Sequence, residues 1–298
     1  MYSEHDLQSG AHSRHFGVYR PVGQQHATPV FIVLHGSMGD ADSIRKRTAY
    51  EFEMLADQHR FLVVYPDGYK HHWNGCRRSA DYAANTERID DVGFMRTLVD
   101  WLVAHYSIDP QQVFIGGYSN GGHLSYRIAL EAPALVSGIA TFNANLPAAA
   151  NLGCKESAIA KPVLMFAGTN DPINPYTGGT VVVLGNDSRG EVMSAQAGAE
   201  YWAALSDDAS NVQVLRHADV DGDASTRVVE QRWAAGSAAE VRLYTLQGSG
   251  HVIPSQLRQF PKFFGGNAGD ISGPAEMVNF FLQAVEQKSR SPLIEQRI

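Results

Sequence analysis

Short apolar runs without polar alternation recur along this chain, separated by longer segments of helical period. A strand covered on both faces needs such a continuous apolar run, whereas in a strand with one solvent-exposed face apolar and polar residues alternate. Strands of this kind between helices predict an α/β fold, with a mostly parallel sheet and helices on both faces. The predicted strands are Val30–Leu34, Phe61–Tyr65, Val113–Ile115, Gly138–Phe142, Val163–Ala167 and Val241–Leu246.

Helical segments follow from the spacing of apolar residues between these runs. Asp90 is predicted to cap a helix whose apolar face extends from Val92 to Val103. Leu124–Glu131 and Met277–Val285 show shorter versions of the same pattern.

Two antiparallel hairpins are predicted outside the parallel strands. The first is N-terminal and joins His5–Gln8 to His15–Tyr19. The second joins Asn211–His217 to Arg227–Trp233 through an Asp-rich turn. Because no linker or repeat divides the chain, we predict a single domain over residues 1–298.

Composition excludes several classes of function. The chain has 298 residues with 24 Lys and Arg against 31 Asp and Glu, a net charge of −7. An acidic chain without basic runs predicts no binding to nucleic acid or to an anionic membrane. No apolar stretch approaches the roughly eighteen residues of a membrane span. No phosphate-cradling glycine loop occurs, so we expect no nucleotide cofactor.

The cysteines and the N-terminus leave alternatives open. Cys76 and Cys154 are too few for a disulfide scaffold, and they either form one bridge or remain free. Residues 1–5 lack the basic and apolar regions of a signal peptide, so the protein is either cytoplasmic or an exported protein after processing. The oligomeric state is equally open.

The strongest chemical signal is Gly117-Tyr118-Ser119-Asn120-Gly121, which lies between a predicted strand and a predicted helix. A Gly-x-Ser-x-Gly pentapeptide alone is weak, but this context is typical of a nucleophile elbow. The turn is too tight for side chains at both flanking positions, which accounts for the two glycines. It exposes the Ser119 hydroxyl at the N-terminus of a helix, which favours developing negative charge.

A serine needs a base to take its proton and a carboxylate to orient that base. Asp171 follows the strand Val163–Ala167, and His251 follows the strand Val241–Leu246. The order Ser, Asp, His at successive strand ends is the order expected for such a triad. We therefore predict Ser119, Asp171 and His251 as catalytic residues.

The tetrahedral intermediate needs backbone N–H donors aimed at its oxyanion. The amide of Asn120, directly after the nucleophile, is one predicted donor. The amide of Ser37, in the segment Leu34-His35-Gly36-Ser37, is the other. His35 is interpreted as a structural residue that braces this loop rather than as a base.

These motifs together resemble the α/β-hydrolase esterases grouped with polyhydroxybutyrate depolymerases and the feruloyl and acetyl-xylan esterases. The resemblance implies the α/β-hydrolase fold and the same triad, with Trp73 and Tyr118 binding substrate and with Asp91 and Tyr65–Gly68 supporting the fold. The matching segments are Leu34–Ser37, Tyr65–Gly68, Trp73–Asn74, Asp90–Phe94, Gly117–Gly122, Gly168–Asp171 and Gly248–His251.

The predicted function is hydrolysis of carboxylic esters by a serine esterase, without cofactors. The sequence His251-Val252-Ile253-Pro254 lacks the aromatic residue that many such esterases carry after the histidine, which favours short soluble esters or oligoesters. A serine peptidase or amidase, and a non-catalytic binding protein of the same fold, are the alternatives.

The Asp-rich segment that begins at Asp219 partly matches a calcium-binding loop, but we interpret it as a hairpin turn. Asp219, Asp221, Asp223 and Glu230 match four ligand positions of an EF-hand. Ala224 stands where the sharp turn requires glycine, and the flanks are strands rather than helices. No His/Cys set completes a zinc site, so we expect no metal.

Overall fold

The computed structural model describes residues 1–24, 27–206 and 210–290, except the side chains of residues 262 and 287–290. The strands are β1 (Tyr2–Ser9), β2 (His12–Tyr19), β3 (Thr28–Leu34), β4 (Leu62–Pro66), β5 (Ile108–Tyr118), β6 (Gly138–Phe142), β7 (Val163–Gly168), β8 (Gly179–Thr180), β9 (Glu191–Val192), β10 (Val212–Arg216), β11 (Arg227–Trp233) and β12 (Val241–Gln247). The helices are α1 (Ala41–Arg47), α2 (Glu51–His59), α3 (Ala83–Thr86), α4 (Asp91–Tyr106), α5 (Asn120–Glu131), α6 (Ala195–Ala203) and α7 (Gly273–Arg290). Two short 3₁₀ helices lie at Pro133–Leu135 and Lys262–Phe264.

Ten strands form one mixed sheet in the order β1-β2-β4-β3-β5-β6-β7-β12-β11-β10. The inner strands from β4 to β12 run parallel, and the hairpins β1–β2 and β10–β11 add antiparallel edges. Because the parallel strands share one direction, the loops after β3, β5, β7 and β12 leave the same edge of the sheet. This edge holds every predicted catalytic residue.

Both faces of the sheet are covered, and successive residues of β3 show it. Val30 and Ile32 pack into a core formed with α4, α5 and α6. Phe31 and Val33 point the other way, into a core formed with α1, α2 and α7. Continuous apolar strands are therefore required here, as the sequence pattern predicted.

The predicted mostly parallel sheet, its N-terminal hairpin and the second hairpin are confirmed. The hairpin strands begin earlier than predicted, because β1 and β2 pair continuously from Tyr2–Tyr19 to Ser9–His12. The cap on α4 is also confirmed, since the Asp90 side chain accepts a 2.8 Å hydrogen bond from the Gly93 amide. The single domain over residues 1–298 stays a prediction, and residues 291–298 lie outside the described part.

None of the helices in the described ranges is long and apolar enough to cross a lipid bilayer.

Candidate active site

The turn between β5 and α5 holds Ser119 in a backbone conformation that residues other than glycine rarely adopt. Its φ is 51° and its ψ is −114°, outside the ordinary regions for residues other than glycine. A Cβ added to Gly117 would lie 2.1 Å from the carbonyl carbon of Gly121, and one added to Gly121 would lie 2.6 Å from the carbonyl oxygens of Leu34 and His35. The turn therefore requires both glycines, and it leaves Ser119 partly exposed.

Asp171 and His251 form a buried pair beyond the ends of β7 and β12. His251 Nδ1 lies 2.6 Å from Asp171 Oδ2, and the two side chains are only 4% and 1% exposed. The other carboxylate oxygen, Oδ1, accepts 2.8 Å hydrogen bonds from the amides of Ile173 and Asn174. In the neutral tautomer of His251 that donates from Nδ1 to Asp171, Nε2 carries no proton and can accept one.

Tyr118 connects the backbone of His251 to the strand that presents Ser119. Its hydroxyl donates a 2.8 Å hydrogen bond to the carbonyl oxygen of His251, and the two rings lie 5.1 Å apart. Burial raises the pKa of Tyr118 to about 12, so the hydroxyl keeps its proton at neutral pH. Among the described residues, no hydrogen bond joins the Ser119 hydroxyl to His251. In free enzymes such bonds are often long and tighten only with substrate.

The two amides predicted to bind the oxyanion flank Ser119. Asn120 begins α5, so its amide belongs to the unsatisfied first turn of that helix. The loop after β3 passes beside the serine, since a Cβ on Gly36 would lie 3.4 Å from Ser119 Cβ. Within the described part of the chain, neither the Ser37 nor the Asn120 amide donates to another group. The oxyanion hole stays a prediction, with which this geometry agrees.

His35 braces that loop, as interpreted from the sequence. Its Nδ1 lies 2.7 Å from the Gly36 carbonyl oxygen, and its Nε2 accepts a 2.9 Å hydrogen bond from the Gly68 amide. Burial lowers the pKa of His35 to about 4, so the ring is neutral at pH 7. Both ring nitrogens are engaged, which leaves His35 unavailable as a base.

Residues 15–219 match the family described as Esterase PHB depolymerase, which is more than half of the chain. The chain belongs to this esterase family. The protein is accordingly a carboxylic ester hydrolase. The matched region includes Ser119 and Asp171 and ends before His251.

Relatives of this esterase align with it over different shares of their length. NocK of Nocardia uniformis subsp. tsuyamanensis, which is named as an esterase, is 26% identical over 261 residues, covering 85% of this chain and 74% of that protein. The bifunctional acetylxylan esterase/xylanase XynS20E of Neocallimastix patriciarum is 27% identical over 174 residues, covering 58% of this chain and 24% of that protein. A poly(3-hydroxybutyrate) depolymerase of Ralstonia pickettii is 29% identical over 131 residues, covering 40% of this chain and 26% of that protein. The match thus spans about a quarter of the length of the last two proteins.

Solved structures share the fold of this esterase. The acetyl xylan esterase from Aspergillus awamori superposes with a TM-score of 0.57 at 13% identity, covering 85% of this chain and 95% of that one. The protein pOPH superposes with a TM-score of 0.53 at 16% identity, covering 71% and 78%. These similarities confirm the predicted α/β-hydrolase fold.

The burial of Trp73 in the esterase contradicts the prediction that it binds substrate. Its side chain is 0% exposed. The indole Nε1 donates a 3.0 Å hydrogen bond to the carbonyl oxygen of His35, and the Trp73 amide donates a 2.7 Å hydrogen bond to Asn120 Oδ1. Trp73 therefore holds together the two segments that carry the predicted oxyanion donors.

Tyr118 is also corrected from substrate binding to positioning. It is 5% exposed, and its hydroxyl is engaged by His251. The guanidinium carbon of Arg47 lies over its ring, 4.6 Å from the ring centre. The sequence could not separate these roles, because a tyrosine beside the nucleophile fits either.

Asn143 supports the His251 loop, and sequence reasoning missed it. Its Nδ2 donates a 2.6 Å hydrogen bond to the carbonyl oxygen of Val252, and its Oδ1 accepts a 3.1 Å hydrogen bond from the Gly168 amide. It adopts a φ of 50° directly after β6. The available signal was its place at a strand end, at the same edge as the predicted triad.

Behind Ser119, α5 carries a third buried histidine, in addition to His35 and His251. His123 Nε2 contacts Arg77 Nη2, and neither side chain is more than 5% exposed. Burial and the neighbouring positive charge of Arg77 hold the pKa of His123 well below its usual range, so its ring is neutral. Burial also lowers the pKa of Arg77 to about 10.

The two cysteines form a disulfide, which settles the alternative that the sequence left open. Cys76 and Cys154 have Cα atoms 5.0 Å apart and are separated by 78 positions in sequence. The bridge attaches the loop that contains Arg77 to the segment before β7. The amide of Gly153 adds a 2.8 Å hydrogen bond to the carbonyl oxygen of Cys76.

Asp91 and the segment Tyr65–Gly68 support the fold, as the resemblance implied. Asp91 is fully buried, lies 2.8 Å from Arg14 Nη2 and accepts a 2.7 Å hydrogen bond from the Asn74 amide. Asp67 Oδ1 accepts a 2.6 Å hydrogen bond from the Ala41 amide at the start of α1. These contacts attach the active-site loops to the sheet.

Proposed function

We propose that this esterase is a serine hydrolase that cleaves short soluble esters or oligoesters through an acyl-enzyme. The observation that carries the proposal is the 2.6 Å contact between His251 Nδ1 and Asp171 Oδ2 beside a strained, partly exposed Ser119. Strain at a single non-glycine residue persists where the surrounding structure enforces it, and it is concentrated at functional sites.

In the proposed reaction, Ser119 Oγ attacks the ester carbonyl carbon while His251 Nε2 removes its proton. The negative charge that forms on the carbonyl oxygen is stabilised by the amides of Ser37 and Asn120. His251 then protonates the leaving alcohol. Water, activated by the same nitrogen, hydrolyses the acyl-enzyme and restores Ser119, while Asp171 stabilises the imidazolium.

With Trp73 and Tyr118 buried, Met38 becomes the candidate for contact with the substrate. It follows Ser37 directly, has a φ of 62° and is 63% exposed. An exposed apolar side chain beside an oxyanion donor favours a short aliphatic group over a charged one. The names of the relatives add hydroxybutyrate and acetylxylan esters as classes to test.

The experiment compares hydrolysis of p-nitrophenyl butyrate by wild type, Ser119→Ala and Ser13→Ala. Ser13 is an exposed serine of β2, which lies three places from β5 in the sheet, and serves as the matched control. We expect Ser119→Ala to lose at least about a thousandfold in kcat while keeping its Tm, and to resist labelling by a fluorophosphonate. Undiminished hydrolysis by folded Ser119→Ala would exclude the mechanism.

The substrate class is tested with methyl ferulate and a soluble 3-hydroxybutyrate oligomer at equal concentration. Preference for the oligomer, measured as kcat/KM, is expected for an aliphatic binding surface around Met38. A preference of tenfold or more for ferulate would contradict that assignment and leave the serine mechanism intact. Aminoacyl-anilides test the peptidase alternative in the same assay.

A further inference from the structure

Three carboxylates from two distant segments meet beside the second hairpin. Asp219 and Asp221 lie in the turn between β10 and β11, and Asp270 lies just before α7. Each offers an oxygen, and these oxygens lie within 4.8 Å of one another. Like charges at this separation repel, so the arrangement favours a bound positive charge.

Asp270 gives an independent reason to place a cation here. It is 6% exposed, and its Oδ1 accepts a 2.9 Å hydrogen bond from the Val220 amide. Its Oδ2 is buried and has no hydrogen-bond partner among the described residues. A buried carboxylate oxygen left unpaired is costly, and coordination of a metal ion removes that cost.

Among the residues that the structure describes, a single cationic side chain pairs with this cluster, at its outer member. Arg227 Nη1 lies 3.2 Å from Asp219 Oδ2, and both side chains are substantially exposed. The described hydrogen bonds and ion pairs of Arg227 do not reach Asp221 or Asp270. Within the described ranges, no ion pair reaches the inner two carboxylates.

The backbone around these carboxylates is closely packed. Asp221 Oδ2 accepts a 2.9 Å hydrogen bond from the Gly269 amide, and a Cβ added to Gly269 would lie 2.5 Å from that oxygen. Asp219 Oδ1 accepts a 3.0 Å hydrogen bond from the Gly222 amide. Each carboxylate oxygen has a second lone pair, so these hydrogen bonds leave capacity for a metal ion.

We propose that Asp219, Asp221 and Asp270 bind a Ca²⁺ ion. All three donors are hard carboxylate oxygens, which suit Ca²⁺ or Mg²⁺ and not Zn²⁺, whose structural sites use nitrogen and sulfur. Ca²⁺ binds oxygen at about 2.3–2.6 Å in irregular geometry, whereas Mg²⁺ requires a near-ideal octahedron at about 2.0–2.1 Å. These carboxylates lie in loops, and one side of the cluster is open to solvent, where water can supply further ligands. Such a site fits Ca²⁺, the larger ion.

This site differs from the EF-hand pattern that the sequence analysis set aside. Glu230, the fourth residue of that pattern, is fully buried within β11 and pairs with Arg232 and His217 instead. Asp223 Oδ1 accepts a 2.9 Å hydrogen bond from the Ser225 amide. The third ligand is Asp270, which no local pattern around residues 219–230 includes.

Calcium at this site restrains the loop that carries His251. The segment leading to Asp270 holds that loop through two backbone hydrogen bonds: His251 N to Phe264 O at 2.6 Å and Gly250 N to Gly266 O at 2.9 Å. Ser249 Oγ also donates to Gly266 O at 3.1 Å. A cavity of about 830 Å³ is lined by residues of this segment and by Asp221 of the turn. In the proposal, Ca²⁺ held by Asp221 and Asp270 links the turn to this segment.

The test measures binding and stability directly, apart from catalysis. Protein treated with EDTA and desalted is titrated with CaCl₂ by calorimetry, and its Tm is measured with CaCl₂, with MgCl₂ and without added metal. We expect one saturable Ca²⁺ site and a rise in Tm of about 5 °C at a hundredfold excess over Kd. MgCl₂ at the same concentration should raise the Tm by less than half as much.

Matched variants separate this site from general cation binding. Asp270→Asn should abolish saturable binding and the Tm rise, whereas Asp223→Asn, in the same turn but outside the cluster, should keep both. If Asp270→Asn does not fold, Asp219→Asn at the exposed edge is expected to weaken binding at least tenfold. Absence of saturable binding, equal effects of Mg²⁺, or unchanged binding in the Asp270 and Asp219 variants would overturn the proposal.

Discussion

The hydroxyl of Tyr118 donates a 2.8 Å hydrogen bond to the backbone carbonyl of His251, joining the residue before the proposed nucleophile to the proposed base. The two residues follow different strands, so this contact links the two halves of the predicted triad. Tyr118 positions His251 without touching the reacting atoms.

Tyr118→Phe should lower kcat about two- to tenfold, because one hydrogen bond of about 0.5–1.5 kcal/mol is lost. KM should stay within twofold, since the ring and its packing against Arg47 remain. Steady-state kinetics from pH 5 to 9 check this, and the pH profile of kcat should shift if His251 is displaced. An unchanged kcat and profile would show that the hydrogen bond is dispensable.

Gly117→Ala should destabilise the fold by about 3 kcal/mol or more, because its Cβ would lie 2.1 Å from the Gly121 carbonyl carbon. The matched control is Gly198→Ala in α6, where the nearest atom to an added Cβ is the Met165 methyl at 3.4 Å. That variant should stay within about 1 kcal/mol of wild type. Urea unfolding of both variants measures the difference, and equal stabilities would contradict the steric account.

Removal of the disulfide should lower the free energy of unfolding by as much as about 4.5 kcal/mol, the chain-entropy value for a loop closed over 78 positions. Urea unfolding with and without a thiol reductant measures the loss. A Cys76→Ser/Cys154→Ser double variant should match the reduced protein and be insensitive to reductant. Equal stability of oxidised and reduced wild type would contradict the prediction.

Stability at acid pH should depend on Glu230. Burial acts to raise the pKa of this carboxyl, but hydrogen bonds from His217 and Arg232 and the charges of Arg232 and Arg242 outweigh it and lower the pKa to about 2. A carboxyl whose pKa is lower in the folded than in the unfolded state stabilises the fold at pH values above the unfolded-state pKa, here 4.5. That stabilisation is lost as the pH falls toward 2.

Wild type should therefore lose as much as about 3 kcal/mol through Glu230 between pH 4.5 and pH 2, and less where solvent screens the pairs. Glu230→Gln should be less stable at pH 7 and lose correspondingly less over that interval. Glu4→Gln, at an exposed glutamate of β1, is the control and should follow wild type. Urea unfolding at pH 7, 4.5, 3 and 2 distinguishes the variants.

Met38→Ser should raise KM for p-nitrophenyl butyrate about fivefold, with kcat within twofold. Contact with a substrate buries part of this exposed side chain, worth about 1 kcal/mol of apolar area. Val22→Ser is the control, because Val22 is an apolar residue outside the catalytic loops that is even more exposed than Met38. A KM equal to wild type would remove Met38 from the binding surface.

Much of the site could be predicted because its signals are local. The turn around Ser119 needs Gly117 and Gly121 within the same five residues, and both are visible in the sequence. Asp171 and His251 follow strands whose apolar runs are equally visible, and parallel strands bring their ends to one edge. The predicted parallel sheet follows from the same runs, because only strands covered on both faces are apolar throughout.

Tertiary structure decided what depends on contacts between distant segments. Trp73 was predicted to contact substrate, yet packing against His35 and Asn120 buries it completely. The pairing of Cys76 with Cys154 and the meeting of Asp270 with Asp221 depend on how separate loops come together. Sequence by itself determined the six apolar strands, the two hairpins, three of the seven described α-helices and the order of the chemical groups, because these follow from local pattern. Burial and long-range contact do not, since each depends on the packing of the whole chain.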